Sequence, residues 1–409
     1  MTKRATGVFR SLRIFNYRVW AAGAFVSNIG TWVQRTAQTW LVLMQLTDHN
    51  ASAVGLVMAL QFGPQLLLLP LTGFVADHFN QRRLLIGTQA TMGALALVLG
   101  LLTVTGIVRL WQVELFAFLF GCAAAFDAPV RQTFVAELVG DDVLPNAIAL
   151  NSTSFNAARM IGPAIAGFVI AAFGTGWAFL INGASFMAVL ASLALLRASD
   201  LRPNPRAQHA KGNFIASFTG GVRYVWSRPD LQATLIMLAL IGTFGLNFQI
   251  FTSTMAINVF HSDARGYGLL SSIMAAGTVS GALFNAAQHR PKFGSLLAGS
   301  GLFGIGCTLA ALAPSYWLFG AALIVIGVAA LLFTNTTNSL MQLATEPAMR
   351  GRVMALRVGV ALGGTPIGAP IVGWVADSFG PRWALGVGAA SGFAAALVAI
   401  AAMRTPQHS

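Results

Sequence analysis

Residues 162–185 read GPAIAGFVIAAFGTGWAFLINGAS, and residues 368–391 read GAPIVGWVADSFGPRWALGVGAAS. At a shift of 206 residues, ten of the 24 positions are identical: Gly162, Ile165, Gly167, Val169, Phe173, Gly174, Trp177, Ala178, Ala184 and Ser185 meet their own kind. Shared apolar composition alone would give roughly three matches. Each stretch holds the end of one apolar run, a break at glycine and the start of the next. What is duplicated is therefore a pair of long apolar segments, and the chain reads as two similar halves.

A membrane helix needs roughly 20 mostly apolar residues. Outward from the repeat, that ruler finds twelve spans. Six lie at about 19–46, 52–76, 84–106, 110–134, 146–173 and 177–196, and six at about 231–260, 267–288, 293–313, 316–342, 354–376 and 383–403. The first, fourth, seventh and tenth are expected to be the most polar. Composition agrees with a bilayer setting. A chain that is 56% hydrophobic and 9% charged cannot cover a surface in water, so the solvent around it is lipid. The 43 glycines suit close contact between membrane helices. The basic stretch Met1 to Arg18 precedes a run too long for a signal-peptide core and without a clear small-residue cleavage site, so it reads as leading into an uncleaved first span.

The net charge of +13 sits in short clusters between apolar runs rather than on one face. That is the pattern of orientation signals, and it argues against nucleic acid as a partner. With the N-terminus inside, Lys3, Arg4, Arg10, Arg13, Arg18, Arg82, Arg83, Arg290, Lys292, Arg350, Arg352 and Arg404 are all cytoplasmic. The outer loops keep only Arg109, Arg265 and Arg382. Both termini are therefore expected in the cytoplasm, with the chain crossing the membrane many times. The longest polar segment, 197–230, carries Pro203, Pro205 and six basic residues. It reads as a cytoplasmic linker between an N-terminal half, 1–196, and a C-terminal half, 231–409. Within it, Phe214 to Trp226 is either a helix on the membrane surface or part of a disordered linker.

Several chemistries are not expected. Cys122 and Cys307 lie in apolar runs, which does not support a disulfide framework or a zinc site. The six histidines (His49, His78, His209, His261, His289 and His408) fall in loops or at the terminus, against a buried haem or metal. The chain contains no G-x-x-x-x-G-K-[ST] loop for ATP, and its spans hold no clustered histidines or paired carboxylates to make an enzyme. No cofactor is expected.

Polar residues inside spans are costly and should face protein or a water-filled cavity. On span one, Asn28, Thr31, Arg35 and Gln38 fall within an arc of roughly 80° at 100° per residue, with Gln34 beside them. Arg35 can hold an anionic substrate or switch between acidic partners; helix packing is the alternative. Span seven, the repeat partner, has Thr243, Asn247, Gln249 and Thr252 but no charge. The candidate substrate-binding set is therefore Asn28, Thr31, Gln34, Arg35, Gln38, Asn247 and Gln249.

On span four, Asp127 and Arg131 stand four apart and share a face. They can pair with each other, Arg131 can reach Asp77, or Asp127 can carry a proton during transport. On span five, Arg159 precedes Gly162 and Pro163 by about one turn. Glycine and proline there permit a bend and close packing, so a gating role and plain packing both stand.

After span two comes Gly73-Phe74-Val75-Ala76-Asp77-His78-Phe79-Asn80-Gln81-Arg82-Arg83. Gly73 allows close helix approach, and Asp77 can accept hydrogen bonds from a helix N-terminus or pair with arginine at the cytoplasmic mouth. The stretch resembles the loop signature of the major facilitator superfamily, G-x-L-A-D-R-x-G-R-R. It keeps Gly73, Ala76, Asp77 and the basic ending, Arg82 and Arg83, and departs at His78, Asn80 and Gln81. The second half has Asn285 in place of the acid. Three further stretches are similar to the branch of the superfamily that includes the enterobactin exporter and drug-efflux proteins: Phe126 to Gln132, Asn156 to Pro163, and Glu346 to Val353.

The resemblance covers nearly the whole chain. It implies an all-α fold of twelve transmembrane helices in two six-helix pseudo-symmetric halves, a latch at Asp77, and a rocking helix interface at Arg159, Gly162 and Pro163. It implies an exporter working by alternating access, with proton antiport as the expected coupling. An importer or facilitator of a polar metabolite, and a membrane sensor that binds ligand without transport, are the alternatives. The expected partners are a small-molecule substrate, protons or another coupling ion, and membrane lipid; the expected state is a monomer.

Overall fold

Inside a bilayer no water satisfies backbone N–H and C=O groups, so each apolar run must close its own hydrogen bonds as a helix. A computed structural model of the chain describes residues 9–69, 71–72, 75, 79–202, 214–286, 293–347 and 349–404, with side chains except at 214–218 and 284–286. Among the described residues the regular structure is helical, with no strand. We number the helices α1 (Phe15–Trp40, prolonged by a π-helical turn, Leu41–Leu46), α2 (Ala51–Leu67), α3 (Gln81–Val104), α4 (Leu110–Leu138), α5 (Leu144–Phe173) and α6 (Thr175–Leu195). There follow α7 (Phe214–Trp226), α8 (Pro229–Val259), α9 (Ala264–Ala286), α10 (Phe293–Leu312), α11 (Tyr316–Ala344), α12 (Arg350–Phe379) and α13 (Pro381–Arg404).

Among the described residues nine of these are long and apolar enough to cross a membrane: α3 to α6, α8 and α10 to α13. The other three expected spans are also helical. α1 carries its polar stripe, α2 has 17 residues up to Leu67, and α9 holds Arg265 and several serines. These three fill the remaining expected positions as helices, while nine helices meet the length and apolarity of a membrane crossing among the described residues. The tenth span, α11, departs from expectation. It is the most apolar of the nine rather than one of the most polar, because apart from Tyr316 its polar residues are gathered between Thr334 and Gln342 near one end.

The repeat is written in backbone geometry as well as in sequence. α5 and α12 both end at a glycine in the left-handed region, Gly174 (φ 90°) and Gly380 (φ 100°). Their N–H groups close the last turn on Ile170 O (2.9 Å) and Ala376 O (3.0 Å). A side chain there would strain the backbone, which is why both copies keep glycine. The first span of each half shows a second matching pair. α1 and α8 both finish in a π-helical turn, Leu41–Leu46 and Met255–Val259. His49 N–H then donates to Leu43 O (3.1 Å) and Ser262 N–H to Ala256 O (2.8 Å). Asn50 Oδ1 caps Ala53 N–H (2.8 Å), and Asp263 Oδ1 caps Gly266 N–H (2.9 Å). These four residue pairs are each 213 apart.

The chain divides into two compact units, residues 1–38 with 67–211 and residues 39–66 with 212–409. In the first, Tyr17, Trp20, Leu85, Val130, Phe134, Val189 and Leu193 form a buried core. The Tyr17 hydroxyl satisfies itself there by donating to Ala147 O at 2.8 Å. In the second, α7 is a helix packed on protein: Val225 is buried with Leu231, Leu235, Met341, Val353 and Leu356. Also in this unit, α2 begins against α12. Asp377 accepts from Ala51 N–H (2.7 Å), Ser52 N–H (2.8 Å) and the Ser52 hydroxyl (2.5 Å). An anion on open N–H groups at the start of a helix also complements the helix dipole.

Candidate functional site

The polar stripe of α1 divides by partner. Thr31 turns back to its own helix, donating to Ser27 O at 2.9 Å. Gln34 is buried, and its Oε1 accepts from Asn182 Nδ2 of α6 at 2.6 Å, so this side chain ties two helices together. Gln38 is buried as well. Asn28 and Arg35 lead to two charged clusters.

The first cluster centres on Asp127 of α4, whose residue exposure is only 5%. Its Oδ2 takes Arg131 Nε and Nη2, both at 3.0 Å. Its Oδ1 accepts from the Thr88 hydroxyl (2.9 Å) and Gln89 Nε2 (2.6 Å) of α3. Arg131 Nη1 donates onward to Asn28 Oδ1 on α1 at 3.2 Å. One carboxylate thus links three helices through charge-assisted bonds. Of the openings left by the sequence, the structure shows Asp127 paired with Arg131. Gly73 and Asp77 lie outside the described residues.

The second cluster stacks two cations on one ring. The Arg35 guanidinium carbon lies 4.8 Å from the Trp32 ring centroid and that of Arg159 5.6 Å. Phe155 meets the same indole edge-on at 5.9 Å. Cation–π contact of this kind contributes on the order of 0.5–2 kcal/mol. α5 reaches this ring because Gly162 has no side chain: a Cβ there would sit 2.5 Å from Trp32 Cβ. Pro163 is buried within α5, and its missing N–H leaves the Arg159 carbonyl without an intrahelical donor. Close packing and a weak point in the ladder therefore coincide at Arg159, Gly162 and Pro163.

In the second unit, α8 is interrupted. A π-helical turn, Ile241–Gly245, gives way to a short α-helix, Phe248–Thr254, and Asn247 stands at the break. Asn247 is fully buried; its Nδ2 donates to Thr243 O at 2.6 Å, while its Oδ1 is buried without a hydrogen-bond partner. Gln249 follows on the short helix and is half-buried. Broken helices that free backbone and side-chain polar groups are typical of transporter binding sites.

Arg82 and Arg83, the basic ending of the loop signature, open α3. Arg82 donates from Nε to Leu193 O (2.9 Å) and from Nη2 to Ala194 O (3.2 Å), capping the end of α6. Arg83 is exposed, and its backbone N–H is capped by Asn80 Oδ1 at 3.0 Å. Asn80 therefore starts α3, a physical reason for one departure from the loop signature.

Sequence reading missed Thr88, Gln89, Trp32, Asn182 and Asp377. Polar side chains in mid-span were the available signal for Thr88, Gln89 and Asn182; Trp32 and Asp377 carried none. Cys122 and Cys307 are free thiols. Among the described residues no three His, Cys, Asp or Glu side chains come together as a metal site.

The profile of the transmembrane secretion effector family matches residues 6–409. Three relatives each cover nearly nine-tenths of the chain. The staphyloferrin A transporter of Staphylococcus aureus is 24% identical over 88% of this chain and 89% of its own. The multidrug efflux pump Tap of Mycolicibacterium fortuitum is 25% identical over 87% and 88%. The enterobactin exporter of Citrobacter koseri is 25% identical over 88% and 85%. Among solved structures, a bacterial homologue of the human lysosomal transporter Spinster superposes with a TM-score of 0.74 at 15% identity, covering 98% of both chains. The nucleoside transporter NupG reaches 0.73 at 13% identity, covering 96% of this chain and 100% of its own. At those identities the two structures speak for the fold.

Proposed function

Since the chain belongs to the transmembrane secretion effector family of the major facilitator superfamily, we propose that it carries a small molecule out of the cell by alternating access, with protons moving inward in exchange. Membership makes it a multi-pass membrane transporter rather than an enzyme. The outward direction draws on relatives named as an enterobactin exporter and a multidrug efflux pump.

The observation that carries the coupling is the buried Asp127. When a proton reaches its carboxylate, the negative charge facing Arg131 is lost while the guanidinium keeps its own, and the link from α3 through α4 to Asn28 on α1 loosens. Return of the proton to the cytoplasm restores it. Asn28, Thr31, Gln34, Arg35, Gln38, Asn247 and Gln249 are the proposed cargo contacts. Arg35 and Arg159 on Trp32 give the first half a preference for anionic groups. Gly73, Asp77, Arg82, Arg83, Asp127, Arg131, Arg159, Gly162 and Pro163 are the proposed gating and coupling positions. The moving bodies are the halves 1–196 and 231–409, joined by 197–230. The protein works as a monomer in the bacterial inner membrane, with both termini cytoplasmic and lipid around it.

The test is accumulation in cells. A strain lacking the protein, the same strain restored with it, and the strain carrying Asp127→Asn are loaded with macrolides, dyes and iron chelators. Cargo is expected to build up in the first and third but not the second. Equal accumulation of every compound in all three contradicts export.

A further inference from the structure

A groove runs over the crossing of α1 and α6, away from the candidate site. Val19, Ala22, Gly23 and Val26 line it from α1, Ala188, Ala191, Ser192 and Leu195 from α6, and Arg18 closes one end. Its volume is about 430 Å³. The groove exists because the helices meet backbone to backbone: a Cβ on Gly23 would lie 2.8 Å from Ala188 O and from Ser192 Cβ. The floor is therefore low, while Val26 and Leu195, both exposed, stand up as walls. On a multi-pass membrane protein such an outward apolar channel faces acyl chains.

The charged end is built, not incidental. Arg18 and Arg197 are both exposed and both lie over the Phe15 ring, at 5.9 Å and 4.3 Å from its centroid. Arg197 is anchored to α1 by a reciprocal pair: Arg197 N–H donates to Asn16 Oδ1 and Asn16 Nδ2 to Arg197 O, each at 3.0 Å. Among the described residues neither guanidinium is in an ion pair. Two cations held on one ring beside an apolar channel match one molecule: a lipid with an anionic phosphate headgroup and a chain. We propose that this groove binds an acidic phospholipid, its phosphate between Arg18 and Arg197 and one acyl chain along the α1–α6 floor. Basic pockets between membrane helices take such headgroups, and each arginine near a membrane surface adds to the attraction.

The test uses the full chain, purified in detergent and read by native mass spectrometry with added phosphatidylglycerol or phosphatidylcholine. The protein is expected to retain phosphatidylglycerol preferentially, and Arg18→Gln with Arg197→Gln should cut that retention by about thirtyfold. Ala191→Phe, which fills an exposed part of the channel, should reduce retention of phosphatidylglycerol while leaving the protein folded. Arg404→Gln, a cation at the far end of the chain, should change nothing. Unchanged retention in the double variant overturns the proposal, as does an equal loss in Arg404→Gln, which would mean general charge attraction. Glycerol 3-phosphate competing as well as the intact lipid also overturns it, since the channel would then contribute nothing. So does stronger lipid binding after removal of residues 2–8, which would make the chain's own N-terminal segment the occupant.

Discussion

Asparagine at position 127 keeps the shape of the side chain and removes its charge. In the structure, Oδ1 serves Thr88 and Gln89 while Oδ2 serves two nitrogens of Arg131. An asparagine oxygen turned toward Thr88 and Gln89 must point its own amide hydrogens at the guanidinium. Arg131 is then left with Asn28 at 3.2 Å. Breaking a buried pair from one side costs about 3–5 kcal/mol. The Arg131 side chain is 20% exposed, so water relieves part of that cost, and the expected loss is about 3 kcal/mol. Arg131→Gln strands the carboxylate with two neutral donors and should cost a similar amount. The double variant removes both charges, and its cost should fall about 2 kcal/mol or more below the sum of the singles. Unfolding of the purified protein in detergent, followed by tryptophan fluorescence, measures all four corners. Additive costs, or a wild-type stability for Asp127→Asn, would refute a coupled, stability-bearing pair.

Three shorter predictions accompany it. Asp77→Asn should lower turnover severalfold while leaving the protein inserted; unchanged flux with equal membrane content removes the latch. Arg35→Ala, and separately Arg159→Ala, should weaken transport of anionic cargo about tenfold and leave neutral cargo nearly untouched; competition assays in vesicles report the ratio, and an equal loss for both classes would mean simple misfolding around Trp32. Asp377→Ala removes the acceptor for two backbone N–H groups at the start of α2 and should cost about 1 kcal/mol, read as a shift in unfolding midpoint.

Much of the architecture was legible because bilayer hydrocarbon imposes a harsh rule on length and polarity. Twelve apolar runs became helices, and Phe214–Trp226, left open between a surface helix and a disordered linker, is the helix α7. The repeat was legible in α5–α6 and α12–α13 because Gly174 and Gly380 occupy a conformation few other residues tolerate. It was hidden in α1 and α8, where the shared features are π-helical turns and backbone bonds that different side chains can make. Asp127 with Arg131 could be read from a four-residue spacing. Thr88 and Gln89 could not be assigned to Asp127, because contact between α3 and α4 depends on helix rotation that a lone sequence does not state. The same holds for Trp32: a tryptophan in an apolar run reads as ordinary packing until two arginines are found over its ring. The cap on α2 by Asp377 joins residues more than three hundred positions apart, beyond any local pattern.

The most direct test of proton-driven export is flux into everted membrane vesicles, whose lumen stands for the outside of the cell. With the lumen made acidic, a cargo found by the accumulation screen should concentrate inside as lumenal protons leave, stop when an ionophore collapses the gradient, and fail to concentrate in Asp127→Asn vesicles. Cargo that enters regardless of the gradient, or only when the gradient is reversed, would contradict the account.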